Sequence, residues 1–308
     1  MRHEIKVISP ATIQTLQPLS FDAITIDTIN SPAAVENNYS LAVLRLDKVH
    51  PAISGNKIFK LHYYLEEAMA TGKGILTWGG AYSNHIIATA NACKQNNIEA
   101  IGIIRGERPA QLSHTLQQAE QLGMQLVFSS REDYRLQKLP VTIDTSGYIV
   151  IPEGGYGIIG AKGAGGIAEF IPAGLFTHIL CAVGTGTTLA GIINATDAAI
   201  TGISVMKGNT ALETMTRELL ADKNKPVSIL HDYHFGGYAK YTGELIGFMN
   251  DFYRRSAIPS DFVYTAKLFY AVEDLLKKGF FPAGSSVLAV HSGGLQGNLS
   301  LDKGTLIF

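Results

Sequence analysis

The sequence predicts an α/β protein: two three-layer αβα domains with open, mostly parallel sheets, the smaller domain inserted in the larger. Three observations lead there. Short apolar runs alternate with segments whose apolar residues recur at helical spacing. Glycine-rich turns, Gly79-Gly80, Gly184 to Gly186 and Gly293-Gly294, join the ends of apolar runs to the next segment of chain. With 46% hydrophobic and 17% charged residues in 308, a large core is easily buried.

Taken in order, residues 1–57 begin irregularly, with Pro10, Pro18 and Pro32. The run Leu41-Ala42-Val43-Leu44 reads as a strand, and Pro51 and Gly55 mark a loop. Leu61, Leu65, Ala68 and Met69 then fall at helical spacing, with Gly72 as the stop. Ile75 to Trp78 is a short buried strand, and the glycine pair after it leads to a helix starting near Ser83 or Asn84. Strands come next at 99–105 and 124–129 with a helix at 109–122 between them, and the glycine-dense stretch 154–166 reads as a loop. A second series runs strand 177–183, glycine turn, helix 187–195, strand 201–206. After the polar stretch 208–241 come amphipathic helices at 241–255 and 262–279, then strand 286–291 entering Ser292-Gly293-Gly294. The division this suggests is 1–57 with 154–308 as the larger domain and 58–153 as the smaller.

Net charge is −1, with no basic stripe or acidic tail, so neither nucleic acid nor a membrane surface is an expected partner. The two cysteines, Cys93 and Cys181, sit in apolar runs and read as small buried hydrophobes rather than a disulfide or metal pair. No metal is expected. The first residues show no apolar signal core, and no apolar run is long enough to span a membrane, which points to the cytoplasm.

Three motifs carry chemistry. Gly55-Asn56-Lys57 places a lysine at a turn of small residues, just before an amphipathic helix. A partly desolvated amine there can form an imine with an aldehyde cofactor and later move a proton at a substrate α-carbon. Tyr82-Ser83-Asn84-His85 comes after a glycine turn. Ser83 and Asn84 are either a capping pair or the residues that hold cofactor and substrate, with the helix N-terminus favouring a substrate carboxylate. His85 is a base, a residue packed in the first turn, or one facing solvent. Gly184-Thr185-Gly186-Thr187-Thr188 leaves a strand and opens a helix. It is either a tight turn with capping threonines or a phosphate cradle of backbone N–H groups and hydroxyls. A nucleoside-triphosphate loop lacks its Lys-Ser/Thr here, and a dinucleotide fingerprint lacks its third glycine, because Leu189 stands in that place. Gly163-Ala164-Gly165-Gly166 matches the loose dinucleotide pattern with no strand before it. Together the three motifs suggest pyridoxal-phosphate (PLP) chemistry.

In these residues the chain resembles the PLP-dependent D-cysteine desulfhydrase and 1-aminocyclopropane-1-carboxylate deaminase family, of the tryptophan-synthase-β-like type II fold. The family's Gly-Asn-Lys-x-x-Lys-Leu stands as Gly55 to Leu61, its Gln-Ser-Asn as Tyr82-Ser83-Asn84, and its Thr-Gly-Ser/Thr-Thr as Thr185 to Thr188. Its Asp-Pro-Val-Tyr stands as Asp261-Phe262-Val263-Tyr264, and its His-Leu/Thr-Gly-Gly as His291 to Gly294. The resemblance implies that Lys57 carries the cofactor and is the α-proton base. It implies Asn84 as partner of the cofactor's phenolic oxygen, Ser83 as carboxylate-binding and acid/base residue, and Gly184 to Thr188 as the phosphate cradle. Tyr264 and, by position, Tyr238 are the implied active-site tyrosines, the alternative for both being core packing. Tyr82 and His85 join Ser83 and Asn84 at the substrate. Deaminases of the family carry an acid at the place of Thr265, facing the pyridine nitrogen, and Leu at the place of Ser292. Hydroxyl residues at both resemble the desulfhydrase branch, which releases pyruvate, ammonia and sulfide from a small D-amino acid. A ring-opening deaminase, a ligand-sensing protein without turnover and a plain nucleotide-binding protein are the rival readings. A homodimer is expected by analogy with such enzymes.

Overall fold

A computed structural model describes residues 21–50, 53, 55–139 and 143–308. Pro10, Pro18 and Pro51 lie outside them. The strands are β1 (Ile26–Thr28), β2 (Ser40–Arg45), β3 (Gly74–Gly79), β4 (Ala100–Arg105), β5 (Gln125–Ser129), β6 (Tyr148–Ile151), β7 (His178–Val183), β8 (Ala199–Ser204), β9 (Ser228–Leu230) and β10 (Ser286–His291). One sheet has the order β1-β2-β10-β7-β8-β9 and the other β5-β4-β3-β6. Every pairing is parallel except β1 with β2.

The middle strands of the larger sheet are apolar on both faces, as buried parallel strands must be. Leu180 and Ala182 of β7 pack with Phe252, Leu268 and Phe269 from the helices Gly243–Ser256 and Thr265–Lys277. Ile179, Cys181 and Val183 point the other way, toward Phe59, Leu189 and Ile192 from the helices Asn56–Thr71 and Thr187–Ala195. Both cysteines are free and buried, and burial alone pushes each thiol up to about 12. On the smaller sheet, Ile75 and Ile104 face the helices Asn56–Thr71, Asn84–Gln95 and His114–Gln121. Its other face, Leu76, Trp78, Ile101 and Ile103, is covered by Tyr134 from the short helix Arg131–Arg135.

The chain departs from the sequence reading in a few places. The stretch 154–166 is not a loop: a 3-10 turn, Glu153–Gly155, leads into the helix Ile158–Gly165 and a further 3-10 segment, Gly166–Phe170. Close packing outweighs poor helix propensity there. A Cβ on Gly163 would lie 2.0 Å from the Phe59 carbonyl oxygen, so the glycines let three helices meet backbone to backbone. Gly163 to Gly166 end that helix rather than opening one, so the loose dinucleotide match has no phosphate-binding geometry. The expected 109–122 helix runs only His114–Gln121, starting where the Ser113 hydroxyl accepts from Leu116 N at 3.3 Å.

The topology gathers the motifs. β2, β10 and β7 are adjacent and parallel, so their carboxyl ends deliver the lysine turn, the Ser292 loop and the glycine-threonine loop to one edge. β3 and β6 of the smaller sheet deliver Gly79 to Asn84 and Glu153 to Gly155. Open parallel sheets bind ligands at that end of their strands.

Candidate active site

The lysine turn is locked from below. Gly55 has φ 73° and ψ −148°, and a Cβ on it would sit 1.7 Å from the Ser292 carbonyl oxygen, so no other residue fits. Asn56 N donates to that same oxygen at 3.2 Å. The Asn56 side chain is buried and works in two directions: its Oδ1 accepts from Lys57 Nζ at 2.9 Å, and its Nδ2 donates to Thr188 Oγ1 at 2.7 Å. One amide thus ties the amine to the glycine-threonine loop.

Lys57 Nζ lies 5.9 Å from the centre of the Tyr264 ring. Burial lowers its pKa to about 8, the Asp261 carboxylate pulling part of the way back. At pH 7 about one amine in ten is then neutral, against roughly one in a few thousand for a free lysine. One turn on, Lys60 is buried, donates from Nζ to the Gly154 carbonyl at 3.1 Å, and is held well below the ordinary lysine value by burial and then by the charge of Lys57.

Ser83 caps the helix Asn84–Gln95, its Oγ accepting from His85 N at 3.2 Å and Ile86 N at 3.3 Å. Asn84 Oδ1 accepts from Gln296 Nε2 at 2.7 Å, which leaves the Asn84 Nδ2 hydrogens as the free donors. A Cβ on Gly294 would stand 2.4 Å from that nitrogen. His85 is 2% exposed and turns into the protein. Thr77 Oγ1 donates to the Ile151 carbonyl at 2.8 Å, so at 2.9 Å it accepts from His85 Nε2, and His85 Nδ1 keeps an unpartnered lone pair. Burial, reinforced by Lys57 and Lys60, holds this imidazole neutral. Tyr82 is exposed at the mouth, its ring 5.7 Å from that of His114.

In the glycine-threonine loop Gly186 has φ 81° and starts the helix Thr187–Ala195. Thr187 and Thr188 are buried, and Thr185 and Thr187 share a hydroxyl hydrogen bond at 2.9 Å. The Tyr264 hydroxyl lies 3.4 Å from where Gly184 would carry a Cβ, and its ring meets that of Tyr238 edge-on with centroids 6.0 Å apart. Burial raises both phenols, and each hydroxyl influences the other.

Thr265 is placed differently from the other predicted residues. It is fully buried, away from the cleft wall, and its hydroxyl donates to Asp261 Oδ1 at 2.7 Å. Asp261, also fully buried, accepts in addition from Val263 N, Tyr264 N and Thr265 N, each at 2.9 Å. Ser292 does line the cleft, beside Lys57, Tyr82 to His85, Gly184 to Thr188, Tyr238 and Tyr264. Sequence reasoning passed over Asn56, Lys60, Asp261 and Gln296. The first three lie inside the quoted motifs, and Asp261 four residues before Thr265 is a capping spacing. Gln296 has no sequence signal. Among the described residues no group of histidine, cysteine and carboxylate side chains is set to hold a metal, and no helix is long and apolar enough to cross a membrane.

A neutral-prone lysine over a tyrosine, a helix-capping serine, an amide with free donors and a hydroxyl-rich loop at a helix start define an enzyme site for an aldehyde cofactor bearing a phosphate. The sequence matches the family described as pyridoxal-phosphate dependent enzyme over residues 30–293, and the chain belongs to that family. A protein of Pyrococcus horikoshii, provisionally named a 1-aminocyclopropane-1-carboxylate deaminase, is 31% identical over 279 residues, covering 83% of this chain and 84% of its own. The Arabidopsis thaliana bifunctional D-cysteine desulfhydrase/1-aminocyclopropane-1-carboxylate deaminase is 26% identical over 94% of this chain and 82% of its own. A crystal structure of an ACC deaminase homologue superposes with a TM-score of 0.76 at 26% identity, covering 94% of this chain and 97% of that one. The chain is therefore a PLP-dependent enzyme of the lyase and deaminase type, acting on a small amino-acid substrate.

Proposed function

We propose that this enzyme eliminates the β-substituent of a small D-amino acid, D-cysteine being the simplest, to give pyruvate, ammonia and sulfide. The residues fit the cofactor. Lys57 would carry it, Thr185 to Thr188 with the helix start would hold its phosphate, and Asn84 Nδ2 would donate to its phenolic oxygen. When bound, PLP supplies the electron sink that makes the substrate's α-proton acidic. The protein does the rest. Lys57, once released, takes the α-proton, and its neutrality near pH 8 suits it as a base. The Ser83 hydroxyl spends its lone pairs on the helix cap and keeps its proton to donate to the substrate carboxylate at the helix N-terminus. Tyr264 and Tyr238 close the opposite side.

The observation that carries the choice of reaction is what faces the lysine. Ser292 stands on the loop packed against Gly55. Glu153 is the one carboxylate among the described residues that line the cleft, and Asp261 is saturated by its own helix cap. A carboxylate on the pyridine nitrogen would keep it protonated and make a strong sink, whereas a hydroxyl supports less carbanion delocalisation. Expelling a thiolate from Cβ asks less of the sink than opening a cyclopropane ring. Deaminase names among the relatives favour ring opening as the second reading. A panel of β-substituted D-amino acids scored for pyruvate and sulfide, beside 1-aminocyclopropane-1-carboxylate scored for 2-oxobutyrate, tests the choice. Pyruvate from D-cysteine is expected; 2-oxobutyrate as the faster product reverses the order. We further propose that residues 58–153 form a domain inserted between 1–57 and 154–308, in a cytoplasmic homodimer. Light scattering checks the dimer.

A further inference from the structure

We infer that the outer end of the cleft is an anion subsite for the far end of the substrate's side chain, formed by Arg105, Arg131 and Arg135. The inference rests on the reading that an amino acid is bound between Lys57 and Ser83, and it names the class of side chain that the site prefers.

The charged side chains lining the cleft are Lys57, Lys60, Arg105, Arg131, Arg135 and Lys240 against Glu153 alone, in a chain whose net charge is −1. The inner lysines belong to the site already described. Glu153 acts on Tyr134 from the same end of the cleft, yet none of the three outer arginines forms an ion pair with it or with any other described acid. Among the described residues the arginine ion pairs belong to Arg45, Arg108 and Arg255. Three guanidinium groups facing one cleft repel one another unless an anion is brought to them. Their planar forks suit carboxylate, sulfonate or phosphate.

The elements that carry them are also held in place. Arg131 and Arg135 stand one turn apart on the same face of their short helix. Between them Tyr134, 6% exposed, is anchored in the cluster with Trp78 and Ile103. The Arg105 guanidinium at the end of β4 lies 6.0 Å from the centre of the Tyr134 ring. Its Nη2 is 3.6 Å from where Gly80 would carry a Cβ. Gly80 O accepts from Ser83 N at 3.1 Å, closing a turn whose ends are within about 7 Å of each other. The guanidinium therefore sits about one side-chain length from Ser83, where the substrate carboxylate binds, and its charge also reaches Tyr238 across the cleft. The cleft, at about 1220 Å³, exceeds the ~300–1,000 Å³ of ordinary small-molecule pockets. That volume holds PLP as well as the amino acid, and its lining runs on past Ser83 to the three arginines.

The favoured substrate is thus a β-substituted amino acid whose leaving group carries its own negative charge. For S-carboxymethyl-D-cysteine, the Cα–H and Cβ–S bonds break. The proton goes to Lys57 and the electron pair leaves with sulfur. One water completes the conversion to pyruvate, ammonia and mercaptoacetate. The test is binding to the PLP-loaded enzyme, read by calorimetry, of S-carboxymethyl-D-cysteine against its uncharged isostere S-carbamoylmethyl-D-cysteine. The anionic compound is expected to bind about tenfold tighter or more at low salt, with the ratio shrinking as salt rises. In Arg131→Gln/Arg135→Gln, both exposed positions, and in the triple variant with Arg105→Gln, the ratio falls toward one. A wild-type ratio of one overturns the subsite, as does a ratio that survives in the triple variant. The two claims separate cleanly. Pyruvate from D-cysteine with a ratio of one keeps the elimination reading and rejects the subsite. An intact ratio with no pyruvate from any D-amino acid does the reverse.

Discussion

Asp261→Asn is the most informative single change, because one carboxylate serves both the fold and the lysine. Its Oδ2 accepts from Val263 N and Tyr264 N, and its Oδ1 from Thr265 N and Thr265 Oγ1. Asparagine offers one acceptor oxygen. With that oxygen toward Val263 and Tyr264, its NH2 faces Thr265, whose hydroxyl can rotate to accept while its backbone N–H cannot. One buried N–H is then left unpaired, at about 1–3 kcal/mol, and the two surviving bonds lose their charge assistance, about another 1 kcal/mol together. The expected loss is about 2–4 kcal/mol, a fall in Tm of roughly 3–6 °C for a chain of 308 residues. The second effect is on Lys57. The Asp261 charge favours the ammonium form, so its removal drops the amine further below its value of about 8. The assay pairs urea denaturation with the pH dependence of PLP attachment to the apoenzyme, trapped by borohydride. A midpoint for attachment moving to lower pH is expected. Stability within about 0.5 kcal/mol of wild type, or a midpoint that does not move, would refute the reasoning, since either means that the carboxylate is not ionised in the folded protein.

Other changes separate the remaining parts of the site. Gly55→Ala places a methyl 1.7 Å from the Ser292 carbonyl at φ 73°, so purified protein should lack most of its visible PLP absorbance; Gly72→Ala, at φ 67° with nothing within 4 Å, should cost only about 1 kcal/mol and keep the colour. In the wild type, the rate of PLP attachment should rise with pH and level off above about 8, because the neutral amine attacks; a midpoint near an ordinary lysine's would show the amine to be solvated. Gln296→Leu frees Asn84 Oδ1 and lets the amide turn. The expected result is a roughly tenfold lower kcat/KM with full PLP content, about 1.4 kcal/mol, and steady-state kinetics equal to wild type would mean that packing alone orients Asn84.

What the sequence disclosed is what local chemistry determines. Gly55-Asn56-Lys57, Ser83-Asn84 and Gly184 to Thr188 each announce a turn with unusual backbone or unpaired donors; the last two follow closely on parallel strands, and the first folds back to the end of β2, where Gly55 N donates to the Leu46 carbonyl at 3.0 Å. The strand and helix order was legible because buried parallel strands and amphipathic helices differ in period. The glycine-dense 154–166 segment misled for a physical reason. Propensity argues for a loop, yet the same glycines are what close packing against the helix Asn56–Thr71 requires, and that partner lies about a hundred residues away. Thr265 carries a role that its place in the motif does not announce: four residues after a buried aspartate, its hydroxyl completes that aspartate's cap.

The lysine shows where local reading has to give out. Burial is what lowers the Lys57 pKa, and groups that surround and tune it come from three other parts of the chain. Asn56 reaches Thr188, Gly55 rests on Ser292, and Asp261 and Tyr264 arrive from the start of the Thr265–Lys277 helix. Asp261 and Asn56 are each buried and each satisfy more than one partner. That makes the amine's environment a property of the folded large sheet rather than of the lysine turn. A substitution that preserves the Gly-Asn-Lys turn but loosens β7 or β10 should therefore raise the Lys57 pKa toward that of a free lysine, with the motif intact.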